Sequence, residues 1–341
     1  MLDNMFVSII VPVYNVAGYV SKCLESIANQ TYQNYEVIVM EGNSTDGSRE
    51  IVVEFCKTHP KFRPILQEKP IGLMASWMAA IPECNGDYIE FLDGDDFMGP
   101  TLIERLVEKT IEHNTDITIG NFSYDCNGKW VKHKNPIDEG LYNGENIKIL
   151  HKAIFPTASR HYLSPSRCDR LIRKSIFEDN LKYCDPFISS AEDVNIMVPV
   201  ILSCRSIYYI DEPLSFYVTR DTSITHTFRS DTLQMYFRLL KILKRALDDK
   251  RLKYNEEMEN LYNTYGIHWV VYVANANIKF SEKISYINQL FTDGQFAKAV
   301  RLIKAGDRPA SIAYKYMMKL HAPIVYLGYT TLVKLFRKIK S

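Results

Sequence analysis

Three carboxylates stand close together at the end of one short apolar segment. Asp93, Asp95 and Asp96 follow residues 88–92, a mostly apolar run that predicts a buried strand. Two aspartates separated by one residue can share a hard divalent cation, which prefers oxygen ligands and often carries a nucleotide diphosphate. A surface turn is the alternative interpretation, because Asp-Gly is a common turn dipeptide.

Predicted strands and helices alternate around this acidic segment. Alternation of this kind predicts an α/β fold with a Rossmann-like, doubly wound and mostly parallel sheet. Glu41 and Asp93 then both lie at carboxyl ends of strands, where open α/β sheets bind ligands. The predicted strands are 7–15, 36–40, 62–66, 88–92 and 116–120, and helices are predicted near 20–27, 48–55, 72–82 and 102–113.

Several segments, in the same order along the chain, resemble those of glycosyltransferase family 2. This family is inverting and has the GT-A fold, so the resemblance implies both. It covers residues 6–226 and fades beyond about residue 230. The segments that carry it are 7–15, 30–36, 43–48, 85–89, 93–95, 169–177, 191–194 and 220–225.

The resemblance implies a nucleotide-sugar pocket. Glu41 stands where the family usually has aspartate, and is expected to hydrogen-bond the base or the ribose. Glu41 and Gly42 replace two aspartates of the common family loop, so the identity of the nucleotide stays open. The alternative interpretation of Pro12 and Tyr14 is that they terminate the strand and pack within the protein. The expected nucleotide-sugar-binding residues are Pro12, Val13, Tyr14, Asn15, Glu41, Asp93, Gly94 and Arg220.

The resemblance also implies a metal site and a catalytic base. Asp95 is the expected direct ligand of Mn²⁺ or Mg²⁺, and Asp93 contacts the ribose or the metal through water. Asp193 matches the family's base, with Glu192 beside it. The alternative for this pair is a helix N-terminus, where acidic residues are favoured by the helix dipole.

Two further segments bear on the donor site. Many relatives carry Ala-Arg-Asn where this chain has residues 76–78, and Trp77 either stacks on a base or sugar or belongs to the core of a helix. Arg220, in the segment that matches the family's closing loop, is a candidate diphosphate clamp because guanidinium binds phosphate bidentately. His226 is a weaker candidate metal ligand.

Composition narrows the class of protein. The chain has 341 residues, 46% hydrophobic content and a net charge of +1, which gives no argument for nucleic-acid binding. Its seven cysteines lack the spacing of a zinc site or a disulfide framework. We find no signal peptide and no apolar run long enough to span a bilayer. A cytoplasmic protein is expected.

The C-terminal part is predicted to be helical, over 233–247, 256–280 and 296–303. We therefore expect a catalytic domain at 1–228 and a helical region at 229–341. The tail, 322–341, combines apolar residues with clustered cations, which suits a helix at an anionic membrane interface on the inner face of the plasma membrane. Packing on the protein itself is the alternative.

These observations predict a hexosyl- or N-acetylhexosaminyltransferase. The expected reaction moves a sugar from a nucleotide-diphosphate sugar, a UDP-sugar, to a glycan or polyprenyl-diphosphate-linked acceptor with inversion. The resemblance implies a role in capsule, O-antigen or exopolysaccharide synthesis. A dehydrogenase is disfavoured because residues 12–18 lack the Gly-x-Gly-x-x-Gly motif. A catalytically altered relative that binds glycans or acts as a scaffold is the alternative.

Overall fold

A computed structural model describes residues 5–126, 128–155, 163–218, 228–304 and 307–340, without the side chains of 332 and 334–340. The chain forms two compact units. The first comprises Met1–His151 and Ser164–Ser223, and the second comprises Lys152–Leu163 and Ile224–Ser341. The predicted domain boundary after residue 228 stays a prediction.

The strands of the first unit agree with the predicted ones and add others that were not predicted. All five predicted strands are present, and the longest strands are β6 and β10. Their bounds are β1 Val7–Val13, β2 Tyr35–Glu41, β3 Phe62–Leu66, β4 Tyr88–Phe91, β5 Phe97–Met98, β6 Ile117–Cys126, β7 Lys129–Lys132, β8 Gly140–Asn143, β9 Arg170–Arg173 and β10 Ser206–Tyr217.

Helices connect these strands and cover the sheet. Those predicted between the first strands are present, and the acidic pair Glu192–Asp193 begins a helix, as the dipole favours. Their bounds are α1 Val20–Ala28, α2 Ser48–Thr58, α3 Leu73–Ala80, α4 Leu102–His113, α5 Ile147–Ala153, α6 Lys174–Asn180 and α7 Glu192–Ile201.

Among the described residues, ten strands form one sheet, with the order β3-β2-β1-β4-β9-β6-β10-β5 and with β7 and β8 attached to β6 and β10. The strands from β3 to β4 are parallel to one another, as are β6 and β10. The antiparallel strand β9 lies between β4 and β6. The predicted α/β fold with a parallel-rich sheet is confirmed.

The central strands are apolar because helices cover both faces of a parallel sheet. In β1, Ile9 pairs with Val37 of β2 and Ile10 pairs with Phe91 of β4. All four side chains are fully buried. Two polar side chains inside these strands, Ser8 of β1 and Glu90 of β4, are also fully buried. The acidic segment follows β4 directly.

The second unit is helical, as predicted. The prediction of one helix from 256 to 280 was wrong at its C-terminal end. The helix stops at Asn275 because Ala276 adopts an extended conformation, and a new helix begins at Phe280. The bounds are α8 Thr232–Asp249, α9 Asn255–Asn275, α10 Phe280–Asn288, α11 Gly294–Ala299, α12 Pro309–Leu320 and α13 Pro323–Lys340.

The start of the last helix belongs to the core of this unit. Tyr326 is fully buried and Leu327 is 5% exposed. The basic side chains of the tail lie outside the described side chains. In the described part of the chain, no helix is both long and apolar enough to cross a membrane.

Candidate active site

The carboxyl ends of β1, β2 and β4 meet closely, and two glycines make this approach possible. A Cβ atom on Gly94 would lie 2.9 Å from the carbonyl oxygen of Pro12 and 3.3 Å from Cγ2 of Val13. A Cβ atom on Gly42 would lie 3.2 Å from the carbonyl oxygen of Val13 and 3.3 Å from the ring of Tyr14. The segment from Pro12 to Tyr14 is therefore flanked by the loop that follows β2 and by the acidic loop.

The loops after β1 and β2 are fastened to each other by side chains. Asn15 has a positive φ of 51°. Its N–H donates to Oγ of Ser44 at 3.0 Å, and its Oδ1 accepts from the N–H of Thr45 at 2.9 Å. Tyr14 beside it is 48% exposed. This arrangement presents an aromatic ring at the strand end, and the contact of that ring with a nucleobase stays a prediction.

Asp46 strengthens the same junction. Its carboxylate accepts from the N–H of Ala17 at 2.9 Å and from the N–H and hydroxyl of Ser48 at 3.0 Å and 2.6 Å. Slight burial opposes the charge, but these hydrogen bonds lower the pKa of Asp46 below its ordinary value. Since Ser48 begins α2, the hydrogen bonds of Asp46 stabilise the start of that helix and also hold the loop after β1.

Glu41 points into its own loop. Its Oε1 accepts from the N–H of Ser44 at 2.8 Å, and its Oε2 accepts from the N–H of Asn43 at 3.2 Å. Arg49 pairs with the same carboxylate at 3.2 Å, and the Glu41 side chain has 0% exposure. A direct contact between Glu41 and a nucleotide stays a prediction, while its observed contacts shape the loop.

The acidic loop after β4 is tied to the end of β10. Oδ1 of Asp96 accepts from the N–H of Val218 at 2.8 Å. Burial, followed by the charge of Asp93, raises the pKa of Asp96 to about 8. Asp96 therefore supports the loop.

Asp93 and Asp95 offer carboxylate oxygens, the donor type that Mn²⁺ and Mg²⁺ prefer. In the described ranges, no group of three or more His, Cys, Asp and Glu side chains is arranged to hold a metal ion. A cation here would depend on these two aspartates and on oxygens of a bound ligand. Their chemistry fits such an ion, and the metal site stays a prediction.

Arg167, which the sequence did not single out, joins the two predicted catalytic regions. Its Nη1 donates to Oδ1 of Asp193 at 2.7 Å, and its Nη2 donates to Oδ1 of Asp93. The Arg167 side chain is 3% exposed, whereas those of Asp93 and Asp193 are 31% and 33% exposed. Burial opposes its charge, but the two carboxylates outweigh that cost and raise the pKa of Arg167.

The predicted base lies at the start of α7. Ala191, which precedes the helix, has a positive φ of 67°. Burial raises the pKa of Asp193, while the charge of Arg167 acts in the opposite direction. Burial also raises the pKa of Glu192. A half-buried carboxylate with a raised pKa suits a group that accepts a proton.

Trp77 belongs to the core, as one of the two interpretations of its sequence position predicted. It is 1% exposed, and its ring packs edge-on against Phe91 with 6.1 Å between the centroids. The guanidinium carbon of Arg167 lies 3.8 Å from the centroid of Trp77. Its ring therefore supports an arginine and has no free face for a sugar.

Several buried hydrogen-bond donors near the carboxylates have no partner among the residues that the structure describes. They are Nε1 of Trp77, Nε of Arg167 and Nη1 of Arg170. Arg170 is close enough for its charge to lower the pKa of Asp193. Unpaired buried donors are costly, and the same region also holds an unpaired acceptor, Oε2 of Glu90. Arg220 and His226 lie outside the described residues.

The family model for glycosyl transferase family 2 matches residues 8–181, a little over half of the chain. The chain belongs to glycosyl transferase family 2. The match includes the first two loops and the acidic loop, and it ends before Asp193. The resemblance inferred from the motifs is confirmed.

Curated relatives agree with this membership. The glycosyltransferase GlyA of Streptococcus pneumoniae serotype 4 is 29% identical over 67% of this chain and 32% of its own length. This chain thus spans about a third of that relative. The EpsH protein of Bacillus subtilis (strain 168) is 26% identical over 90% of this chain and 89% of its own.

A solved structure shows the same fold. S. aureus TarS 1-349 in complex with UDP-GlcNAc superimposes with a TM-score of 0.72 at 19% identity, covering 96% of this chain and 92% of that chain. Because the identity is low, the likeness establishes the fold alone. The GT-A fold predicted for this family member is confirmed.

Proposed function

We propose that this chain transfers a sugar from a nucleotide-diphosphate sugar to a hydroxyl group of a glycan or a lipid-linked oligosaccharide, with inversion. The donor is a UDP-sugar, either a hexose or an N-acetylhexosamine. Family membership supports glycosyl transfer, and the TarS structure, which was solved with UDP-GlcNAc, suggests the donor class. The biological setting that we propose is the synthesis of a cell-surface polysaccharide.

One observation carries the proposal. A single guanidinium group, that of Arg167, contacts both Asp93 and Asp193. Asp93 belongs to the acidic loop that would face the diphosphate, and Asp193 is the candidate base. Inverting transfer is one displacement, so the donor and the base must lie close together. The contact of both carboxylates with one guanidinium group supports this arrangement.

In this mechanism, Tyr14 and the fastened loops after β1 and β2 hold the nucleotide. The carboxylate of Asp193 accepts the proton of the acceptor hydroxyl as that oxygen attacks the anomeric carbon. The new glycosidic bond forms from the attacking oxygen while the bond to the diphosphate breaks, and the nucleoside diphosphate leaves. Asp95 and Asp93 would hold Mn²⁺ or Mg²⁺, which supplies positive charge for the diphosphate.

A screen of nucleotide sugars tests the proposal. The full chain and its Asp193→Asn variant are each incubated with UDP-, GDP- and TDP-sugars, with and without Mn²⁺. The nucleoside diphosphate that each protein releases is measured and compared. Turnover of a UDP-sugar by the wild type, lost in the variant, supports the proposed reaction. Binding of a nucleotide sugar without any turnover would support the glycan-binding or scaffold alternative.

A further inference from the structure

We propose that Arg167 is a positioning residue that holds the donor-side carboxylate of Asp93 and the base Asp193 in one fixed arrangement. The inference depends on the proposed function, since that function gives both carboxylates their roles. It adds a residue that lies outside the motifs and that the sequence did not single out.

The geometry gives Arg167 one hydrogen bond to each carboxylate. Nη1 donates to Asp193 at 2.7 Å, and Nη2 donates to Asp93. A guanidinium group is planar and presents its donors in a rigid fork. The distance and the angle between the two carboxylates therefore follow from the shape of one side chain, which a lysine ammonium could not reproduce.

Packing fixes the guanidinium itself. One side of it lies over the ring of Trp77, with 3.8 Å between Cζ and the ring centroid. That ring packs against Phe91, a residue of β4, and Asp93 follows the same strand. Since Arg167 is almost fully buried, its position is set by the sheet and not by solvent.

Charge explains why an arginine is needed here. Without Arg167, the carboxylates of Asp93 and Asp193 would face each other in a half-buried site with no cation bonded to both. Removing one partner from a buried ion pair leaves an uncompensated charge. Loss of Arg167 should therefore displace the base and disturb the donor side together.

Arg173 provides a matched control. Its Nε pairs with Asp116 at 3.3 Å, and Asp116 is 5% exposed. The guanidinium carbon of Arg173 lies 4.9 Å from the ring centroid of Tyr88. Arg173 thus has the same kinds of partner as Arg167, a buried carboxylate and an aromatic ring, but it contacts neither candidate catalytic carboxylate.

The experiment compares full-length Arg167→Met, Arg167→Lys and Arg173→Met in kcat, donor KM and thermal stability. Arg167→Met should lower kcat by roughly 10- to 100-fold, since misplacing a reacting group by about 1 Å can cost about 100-fold. Donor KM should also rise. Arg167→Lys, which keeps the charge, should stay folded and still lose kcat. Arg173→Met should lower stability with kcat near the wild-type value.

A double-mutant cycle separates positioning from a purely structural role. If Arg167 acts through Asp193, Arg167→Met should change kcat little in an Asp193→Asn background, because the two effects are coupled. If Arg167→Met lowers kcat by the same factor in both backgrounds, the positioning role is overturned. A folded Arg167→Lys variant with wild-type kcat would also overturn it. Absence of turnover by the wild type would overturn the proposed function and this role together.

Discussion

The guanidinium of Arg167 lies over the ring of Trp77, with 3.8 Å between Cζ and the ring centroid. Arg167 belongs to the segment that precedes β9, and Trp77 belongs to α3. A ring from one element thus supports a guanidinium from another, and that guanidinium donates to both Asp93 and Asp193.

The first prediction concerns the base. Asp193→Asn should keep donor binding and lower kcat by about 10²- to 10⁴-fold, because an amide cannot accept the proton. Since burial raises the pKa of Asp193, wild-type activity should fall as pH decreases, starting above the pKa of about 3.9 that is usual for aspartate. Kinetics from pH 4 to 9 measure this. Glu192→Gln is the control; if it alone removes activity, the base is Glu192.

The second prediction concerns the acidic loop. Asp95→Ala should weaken UDP binding in the presence of Mn²⁺ and leave the weaker, metal-free binding unchanged, because only the metal-dependent part requires that carboxylate. Isothermal titration with Mn²⁺ and with EDTA provides the comparison. Equal UDP affinity in Mn²⁺ and EDTA for the wild type would exclude a metal site.

The third prediction concerns the fastened loops. Asp46→Asn should lower the free energy of unfolding by about 0.5–1 kcal/mol, a value reduced because Asp46 is exposed. The folded pKa of Asp46 is lowered, so its contribution is present above the unfolded pKa of about 3.9 and disappears as pH falls through the folded value. Urea unfolding of both proteins at pH 7 and pH 3 checks this. If the two proteins differ in the free energy of unfolding by the same amount at pH 7 and pH 3, the stabilising role of the Asp46 carboxylate is contradicted.

Much of the fold was predictable because β1, β2 and β4 are mostly apolar runs of strand length, and because α1 and α2 are amphipathic. The end of α9 was not, because the change of direction at Ala276 has no glycine or proline to mark it. Arg167 was also beyond sequence reasoning. Its two partners, Asp93 and Asp193, lie far from it along the chain, and only the antiparallel insertion of β9 beside β4 brings its segment to the acidic loop.

The loop after β2 contains another contact that could not be predicted from the sequence. Glu41 was predicted to hydrogen-bond the base or the ribose because its position matches a family aspartate, and that contact stays a prediction. The structure directs its carboxylate to Arg49 and to two backbone N–H groups. The sequence could not show this, since Arg49 meets Glu41 only once α2 has formed.

The fourth prediction concerns the tail. Arg337, Lys338 and Lys340, changed together to glutamine, should reduce sedimentation with anionic liposomes, since each cation near such a surface contributes roughly 1 kcal/mol. The effect should fade as salt increases. Because Tyr326 is fully buried, this variant disturbs folding less than deletion of 322–341 would. Three exposed cations of α8, Lys241, Lys244 and Arg245, changed to glutamine serve as the control. Equal sedimentation of both variants and the wild type would assign the tail a structural role.

The anomeric configuration of the product tests the central claim most directly. Once the screen has identified a donor, transfer to an acceptor is followed by proton NMR, and the coupling constant of the new anomeric proton is compared with that of the donor. A single displacement with Asp193 as the base predicts the opposite configuration in the first product formed. A product that retains the configuration of the donor would contradict the proposed mechanism.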